Sequence, residues 1–270
     1  GVKGAFIVST NGKIFVVSSD YDKASLLQTL ECDIIPTIAR CGDPEKFIAS
    51  TRSGRIIEFN KEAIKKAVEV PAEKTIDLWS PSESVIFLLS EKKLSWLSCG
   101  DSKVREMDLV TAVNAGDITH DQKRIITSDL QGSIYCTRIP DGTEFWRSSL
   151  ERRRTWAIDI SADDRLFAVG SGNRVVLGEV ATGKAISNVE TFGENNRCVK
   201  FSEDGKYVAV GSDRDGMITV FSTFDSAKRL RLAGHRMPVV GLAWIKKDLL
   251  SVSRDGVVMV WKSIYPPLEK

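Results

Sequence analysis

The sequence has no apolar run long enough to cross a membrane as a helix. Its longest apolar runs, such as VIFLL at 85–89, have the length of a β-strand, whereas a transmembrane helix needs about 20 apolar residues. The first residues do not combine a charged segment with an apolar stretch, as a secretion signal would. We therefore expect no membrane span and no secretion signal, although Gly1 can be a fragment boundary that leaves an upstream targeting segment open.

Cysteine is too scarce and too scattered to predict a disulfide framework or a zinc site. The five cysteines are odd in number and form no C-x-x-C pair. They are Cys32, Cys41, Cys99, Cys136 and Cys198. A reducing, intracellular location in the cytoplasm or nucleus is the corresponding expectation. The formal net charge of +2 excludes neither an acidic nor a basic partner, so only the distribution of charge is informative.

Catalytic patterns are also missing. Histidine occurs twice, at His120 and His235, and no G-x-S-x-G, H-E-x-x-H or Cys-His pattern supplies a nucleophile with its base. Gly178 and Gly183-Lys184 reproduce the spacing of a phosphate-binding loop, but Ala185 lacks the hydroxyl that would bind magnesium. We expect no enzyme, no cofactor and no metal site; an enzyme whose residues come from several repeats is the less favoured alternative.

What the sequence does contain is a repeat. A short turn between two apolar runs recurs about every 40 residues, which is the period of a β-propeller. The copies are TNGKIFVV (10–17), TRSGRIIEF (51–59), EKKLSWLS (91–98), LQGSIYCT (130–137), SGNRVVLG (171–178), SDRDGMITVF (212–221) and SRDGVVMVW (253–261). All but the third contain a glycine suited to the positive φ of a tight hairpin turn. These glycines are Gly12, Gly54, Gly132, Gly172, Gly216 and Gly256.

Each turn predicts a hairpin of two apolar strands, b and c. An alternating run upstream, such as WAIDIS or CVKFS, predicts a strand a, and a more polar segment after strand c, such as AISNV, predicts an outer strand d. Four strands per repeat make a blade that must pack on its neighbours. The expected fold is all-β, a seven-bladed β-propeller of four-stranded antiparallel blades that forms a single domain over residues 1–270.

The two ends of the chain leave the seam of this propeller incomplete. Only a strand b precedes the first turn at Asn11-Gly12, and only KSIYPPLEK follows Trp261. Either upstream residues are absent, or the seam blade is completed by the tail or by a strand donated by a partner. Absent upstream residues are the simpler explanation.

The segment GHRMPVVGLAWIKKDLLSVSRDGVVMVW (234–261) resembles a WD repeat, with Gly234-His235 at its start and Trp261 at its end. The other copies match by spacing rather than by motif; GEVATGK at 178–184, for example, has Gly178 at the Trp position. The resemblance implies a structural hydrogen-bonded tetrad. Its members would be His235, Ser251 or Ser253, Asp255 and Trp261. It also implies a role as a subunit of a larger assembly.

Topology sorts the charged loops onto two faces. The b–c turns and d–a connections open on one face, which collects arginines, whereas the a–b and c–d loops on the other face have mixed charge. The arginines predicted to bind a partner are Arg52, Arg152, Arg153, Arg154, Arg174, Arg197, Arg214, Arg236 and Arg254. Because arginine offers a planar fork to carboxylate or phosphate, this face predicts an anion-binding surface. Local pairing of Arg214 and Arg254 with Asp213, Asp215 or Asp255 is the alternative.

The sequence therefore predicts a non-catalytic protein-interaction scaffold that docks an acidic or phosphorylated peptide on its arginine-bearing face. Arg52, Arg214 and Arg254 close strand b in equivalent positions, which predicts that they face the central opening. Nucleic acid or a phosphoinositide bound by the same arginines is the second hypothesis. The dense run Arg152-Arg153-Arg154 before Trp156 would contribute to either ligand, unless it is a solvated loop in front of a core tryptophan.

Overall fold

The computed structural model describes residues 4–8, 13–18, 24–29, 34–41, 43–51, 55–60, 64–69, 75–82, 84–99, 103–150 and 154–265. Every regular element within these ranges is a β-strand, and all strand pairs are antiparallel. Within the same ranges, no helix has the length and apolar character that a membrane crossing requires.

The strands form seven sheets in chain order, and their bounds follow sheet by sheet. The first sheet has β1 (Gly4–Val8), β2 (Lys13–Ser18) and β3 (Ala24–Thr29). The second has β4 (Ile34–Cys41), β5 (Asp43–Thr51), β6 (Arg55–Phe59) and β7 (Ile64–Glu69), and the third has β8 (Thr75–Trp79), β9 (Val85–Ser90), β10 (Lys93–Ser98) and β11 (Arg105–Asp108). The fourth has β12 (Ala115–Ile118), β13 (Arg124–Ser128), β14 (Ser133–Arg138) and β15 (Glu144–Ser149).

The remaining sheets continue the same order. The fifth has β16 (Thr155–Ile160), β17 (Leu166–Ser171), β18 (Arg174–Glu179) and β19 (Ala185–Glu190). The sixth has β20 (Asn196–Phe201), β21 (Tyr207–Ser212), β22 (Ile218–Ser222) and β23 (Arg229–Leu232), and the seventh has β24 (Val239–Ile245), β25 (Asp248–Ser253) and β26 (Val258–Trp261). Consecutive strands pair within each sheet, which is the blade pattern a–b–c–d.

The prediction of seven four-stranded blades is wrong, because the described ranges contain five blades of four strands. Within the described residues the first sheet has no strand a and the last sheet has no strand d. After β26 the chain turns away from the sheet edge, since Ser263 has a positive φ and Tyr265 stacks on Tyr207 with ring centroids 4.3 Å apart. The donated strand at the seam stays a prediction.

The residues group into two compact units. One contains Gly1–Val113 with Arg138–Thr143, and the other contains Asn114–Thr137 with Glu144–Lys270. In the first unit the inner strands β4 and β8 are neighbours, and in the second β12, β16, β20 and β24 follow one another side by side. Each unit is therefore a series of sheets packed through their inner strands. The single domain over residues 1–270 stays a prediction.

The b–c hairpins form where the turn glycines predicted them. Gly132, Gly172, Gly216 and Gly256 have φ values of 87°, 54°, 67° and 83°, which L side chains rarely adopt. These four positions confirm the turn assignment. Gly12 and Gly54 lie outside the described residues.

The hydrophobic core of the second unit lies between neighbouring sheets. One cluster joins Ile126, Ile134 and Cys136 to Phe167 and Val169 of the next sheet. A second cluster joins Leu177 and Val189 to Val208, Val210 and Phe221 of the sheet after that. Because strands b and c are covered on both faces, the strand ends and turns are left to carry the polar chemistry.

One cysteine departs from the sequence expectation. Cys99 is disulfide-bonded, whereas Cys136 and Cys198 are free thiols. Burial is the main reason that the pKa of Cys198 rises to about 12, so this thiol is protonated at neutral pH.

Candidate interaction site

Six of the predicted arginines lie at one end of the sheets in the second unit. This end, which we call the arginine end, contains the starts of strands a and c and the close of strand b. The six residues are Arg154, Arg174, Arg197, Arg214, Arg236 and Arg254. Arg52, Arg152 and Arg153 lie outside the described residues.

A bulge recurs near the beginning of strand a and brings side chains into register across three sheets. The pairing shifts by one residue between Thr155 and Ala157, between Asn196 and Cys198, and between Val239 and Gly241. The residues passed over are Trp156, Arg197 and Val240, which we call the bulge row. A bulge re-aims the extra side chain relative to the sheet, so this row shares one orientation at the arginine end.

Trp156 is the centre of an aromatic and cationic cluster within this row. The guanidinium carbon of Arg154 lies 4.2 Å from the centroid of its ring, and that of Arg197 lies 4.9 Å away. Arg197 Nε also contacts Asp213 Oδ2 at 2.9 Å. Both distances to the ring are within the range of a cation–π interaction. The half-buried indole therefore contacts two exposed guanidinium groups.

Buried hydrogen bonds fix the backbone beneath this cluster. Ser171 Oγ donates to the Arg154 carbonyl at 3.1 Å, and Thr155 Oγ1 lies 2.7 Å from Ser128 Oγ. Asn196 Nδ2, next to Arg197, donates to the Arg174 carbonyl at 3.0 Å. The three arginines of this region thus extend from backbone that is tied to neighbouring sheets.

The remaining arginines differ in their local pairing. Arg214 forms an ion pair with Glu194 rather than with Asp213 or Asp215. Arg154, Arg174, Arg236 and Arg254 form no ion pair with any residue that the structure describes.

Acidic residues of the b–c turns have local partners. Asp129, Asp215 and Asp255 accept the N–H groups of Gln131, Met217 and Val257 at 2.9, 3.1 and 3.1 Å. These carboxylates stabilise their own turns, as Asx turns do. At the arginine end, the described turn aspartates thus have hydrogen-bond partners, whereas four of the described arginines have no ion-pair partner.

The opposite end of the sheets uses its acidic residues in a second repeated turn. Thr119, Ser161 and Ser202 each donate a 2.7 Å hydroxyl hydrogen bond to the aspartate two residues later. The effect is visible in the pKa of Asp121. Burial raises this pKa, but the hydrogen bonds from the Thr119 hydroxyl and the Lys123 N–H together lower it by more, so the pKa lies below its usual value. These acidic side chains are structural parts of the a–b turns.

Three of the four predicted tetrad residues are joined through Ser251. His235 Nε2 lies 2.6 Å from Ser251 Oγ, and Trp261 Nε1 donates to the same oxygen at 2.8 Å. Asp255 instead accepts the Ser253 hydroxyl, and His235 Nδ1 has no hydrogen-bond partner among the described residues. Burial lowers the pKa of His235 although Asp255 opposes it, which favours a neutral imidazole accepting the Ser251 proton.

A further polar chain links neighbouring inner strands. Asp117 Oδ2 accepts the Ile160 N–H at 2.8 Å, and Asp159 Oδ2 accepts the Phe201 N–H at 2.7 Å. Lys200 Nζ pairs with Asp159. Burial and then the charge of Asp159 raise the pKa of Asp117 to about 8. Each carboxyl therefore fastens its own sheet to the next one.

The segment with phosphate-loop spacing is the turn between β18 and β19. The N–H of Gly183 bonds to the Glu179 carbonyl at 2.8 Å, and Thr182 Oγ1 donates to Glu179 Oε2 at 2.7 Å. Phe167 fills the space at the Gly178 position, where a Cβ would lie 2.3 Å from its ring. The turn is closed by its own hydrogen bonds.

A groove of about 200 Å³ opens beside the cluster, between the fourth and fifth sheets. Its lining residues are Ser149, Leu150, Ser171, Arg174, Val176, Ala185 and Asn188. Arg174 therefore stands at a concave surface. Within the described part of the chain, no group of His, Cys, Asp and Glu side chains could hold a metal ion.

Sequence reasoning missed two features of this region. It favoured Trp156 as a core residue over a binding residue and did not relate it to Arg197, although the two are 41 residues apart, about one repeat. It also passed over Asp117, Asp159 and Lys200, which occupy one position of strand a in GDI, IDI and VKF. Aligning the repeats by their strand a would have placed both sets in register.

Part of this chain is similar to known WD-repeat proteins. The family model described as "WD domain, G-beta repeat" matches residues 189–222. The apoptotic protease-activating factor 1 of Danio rerio is 27% identical over 113 residues, which are 41% of this chain and 9% of that protein. The ciliary WD repeat-containing protein ctxp80 of Euplotoides octocarinatus is 23% identical over 203 residues, which are 74% of this chain and 26% of that protein. The chain thus spans about a quarter or less of these relatives.

Proposed function

We propose that this chain, which is similar to WD-repeat proteins, is a non-catalytic protein-interaction scaffold and a subunit of a larger assembly. The docking surface is the arginine end of its sheets. The partner is an extended peptide with acidic or phosphorylated side chains, which lies across the turns and meets the guanidinium groups there.

One observation carries this proposal: Arg154, Arg174, Arg236 and Arg254 have no ion-pair partner among the described residues, whereas the neighbouring turn aspartates are occupied. Surface arginines without a partner are individually unremarkable. Four of them at the same end of consecutive sheets leave guanidinium donors that an anionic ligand can occupy.

The proposed mechanism is complementarity rather than chemistry. Each guanidinium presents a planar set of N–H donors that matches carboxylate or phosphate oxygens in pairs. The ends of the paired strands hold the backbone of these arginines at fixed spacing, so the partner loses little affinity to reorganisation of the scaffold backbone. Arg214, already paired with Glu194, has a weaker role in this mechanism than Arg236 or Arg254. Arg52, Arg152 and Arg153 lie outside the described residues, and their role in binding stays a prediction from the sequence.

The test is affinity capture with the wild-type chain and two charge-reversed variants. The first replaces Arg174, Arg236 and Arg254 with Glu. The control replaces the exposed Lys123, Lys184 and Lys206 of the opposite end with Glu, which changes the net charge equally. We expect the arginine variant to lose partners that the lysine variant retains.

Retention of the same partners by both variants would contradict the proposal. Phosphatase treatment then separates phosphorylated from acidic partners. Nuclease treatment and a salt series test the alternative ligand, nucleic acid, because its affinity falls steeply with salt. If the chain binds phosphoinositide vesicles and no protein, the ligand of this surface is a lipid and not a peptide.

A further inference from the structure

We propose that Arg154 and Arg197, ordered by the indole of Trp156, form the anchor for a phosphorylated side chain of the docking peptide. The inference rests on the proposed function, since it assigns one part of the arginine end to one chemical group. It concerns the d–a connections and the bulge row.

The two guanidinium groups are ordered before any ligand arrives. An exposed arginine ordinarily loses considerable side-chain entropy when it binds a ligand. Here Arg154 and Arg197 already lie 4.2 and 4.9 Å from the ring centroid of Trp156. Ser171 and Asn196 fix the backbone on which these side chains stand. The entropic cost of binding is therefore reduced in advance.

Stacking on the indole leaves hydrogen-bond donors available on both arginines. A guanidinium that stacks on an aromatic face keeps its N–H groups in its own plane, pointing away from the ring. Arg197 uses Nε for Asp213 and retains its terminal nitrogens. Arg154 forms no ion pair with the described residues. Two sets of donors thus flank one indole.

A pair of arginines suits phosphate better than carboxylate. A carboxylate has two oxygens, which the fork of a single guanidinium satisfies. A phosphate monoester has three terminal oxygens and a charge of about −1.5 to −2 at pH 7, so it can bridge two arginines. Arg174, which lines the adjoining groove with Ser149 and Asn188, adds positive charge beside the cluster and offsets Asp213.

The test measures binding of fluorescent degenerate peptides with one fixed phosphoserine, and of the same peptides with serine or glutamate at that position. We expect the phosphorylated set to bind most tightly. Trp156→Leu should weaken its binding about fivefold although the net charge is unchanged, because the cation–π contacts are lost. Trp156→Phe keeps an aromatic face and should bind within about twofold of wild type.

Two further variants separate ordering from charge. Replacing Arg154 and Arg197 together by Lys keeps the charge but removes the planar fork, and should weaken phosphopeptide binding as Trp156→Leu does. Arg165→Lys, an exposed residue in the a–b turn at the opposite end of the same sheet, is the matched control and should bind as wild type. Thermal unfolding of each variant shows whether it is folded. In addition, phosphopeptide binding should shift the ¹⁹F resonance of Trp156 in the fluorotryptophan-labelled chain. This resonance is assigned as the one that is lost in Trp156→Phe.

Failure of this inference can be distinguished from failure of the proposed function. If phosphopeptides bind but neither Trp156→Leu nor the double Lys variant changes their affinity, the anchor proposal is wrong and the arginine end still docks the partner. The anchor proposal is also wrong if glutamate peptides bind as tightly as phosphorylated ones. If no peptide set binds and the charge-reversed variant of the arginine end keeps its partners, both proposals are wrong.

Discussion

At the scale of single residues, Ser251 of β25 links the segment before β24 to the end of β26. Its hydroxyl oxygen receives the indole N–H of Trp261 at 2.8 Å and lies 2.6 Å from the imidazole of His235. Ser253, the other serine that the sequence allowed for this role, bonds to Asp255 instead. The sequence alone left the two serines open because both lie in strand b with side chains on the same face.

Replacing Ser251 with Ala should therefore cost more stability than replacing Ser253. The first change leaves the buried imidazole of His235 and the partly buried indole N–H of Trp261 without a partner, at about 2 kcal/mol, whereas the second removes one hydroxyl bond to an exposed carboxylate, at about 1 kcal/mol. Urea unfolding of both variants measures the difference. Equal losses would contradict the shared role of Ser251.

The turn glycines allow a second residue-scale comparison. Gly216 and Gly256 both have positive φ, at 67° and 83°. A Cβ on Gly216 would lie 2.6 Å from the His235 carbonyl oxygen and 2.8 Å from that of Met237, whereas a Cβ on Gly256 would have no heavy atom within 4 Å. The two sites differ in packing but not in backbone class.

We expect Gly216→Ala to destabilise the protein by about 2–4 kcal/mol, since backbone must move in addition to the φ strain. Gly256→Ala should cost only the strain, about 1 kcal/mol. Urea unfolding free energies of the two variants test this. A loss at Gly256 as large as that at Gly216 would show that the close contact at Gly216 is not decisive.

At the scale of elements, the sheets of the second unit are joined by carboxyls of their inner strands as well as by apolar contacts. Asp117 receives the N–H of Ile160 from the next sheet. Burial, then the charge of Asp159, raise its pKa to about 8. The unfolded chain has an ordinary aspartate pKa of about 3.9. The folded state therefore binds more protons between these values, and stability should fall as the pH rises through this window.

Asp117→Asn removes the titration while keeping an oxygen that can accept the Ile160 N–H. The variant should lose less stability than wild type when the pH is raised from 5 to 8, measured by urea unfolding at each pH. Asp121→Asn, in an exposed turn, is the control for a change of charge. An unchanged pH slope in Asp117→Asn would contradict the raised pKa.

Gly178 and Phe167 show how a departure from the repeat motif is accommodated within one sheet. The Phe167 ring occupies the space over Gly178 and stacks on Trp146, with centroids 5.5 Å apart. Gly178→Ala should destabilise by about 1–3 kcal/mol, because the new methyl group would overlap this ring. Adding Phe167→Leu should recover part of that loss in a double-mutant cycle. Additive losses would show that the two sites are not coupled.

The strands and hairpins were the part of the fold that the sequence predicted well. Local rules set them: turn glycines mark the b–c hairpins, and apolar alternation marks strands a and b. The bulges in strand a were not predicted, because a bulge changes which side chain faces which neighbour without changing composition. The contact of Trp156 with Arg197 depends on these bulges, so the centre of the candidate site was missed.

At the scale of the whole molecule, the number of four-stranded blades was wrong although the repeat was right. The turn pattern counts hairpins, and seven hairpins are compatible with sheets that lack a first or last strand. The sheet β1–β2–β3 and the sheet β24–β25–β26 are such cases. The family match at residues 189–222 precedes the segment at 234–261 that carries the visible Gly-His and Trp. The repeat that the family model matches is thus not the repeat that carries the visible Gly-His and Trp residues.

Docking of partners on the arginine end is best tested by hydrogen–deuterium exchange of the chain with and without its captured partner. We expect slower exchange in the d–a connections and b–c turns at 191–197, 213–217, 236–240 and 254–257. Exchange in the a–b turns at 119–124, 161–166 and 202–207 should not change. Protection confined to those a–b turns would contradict docking on the arginine end.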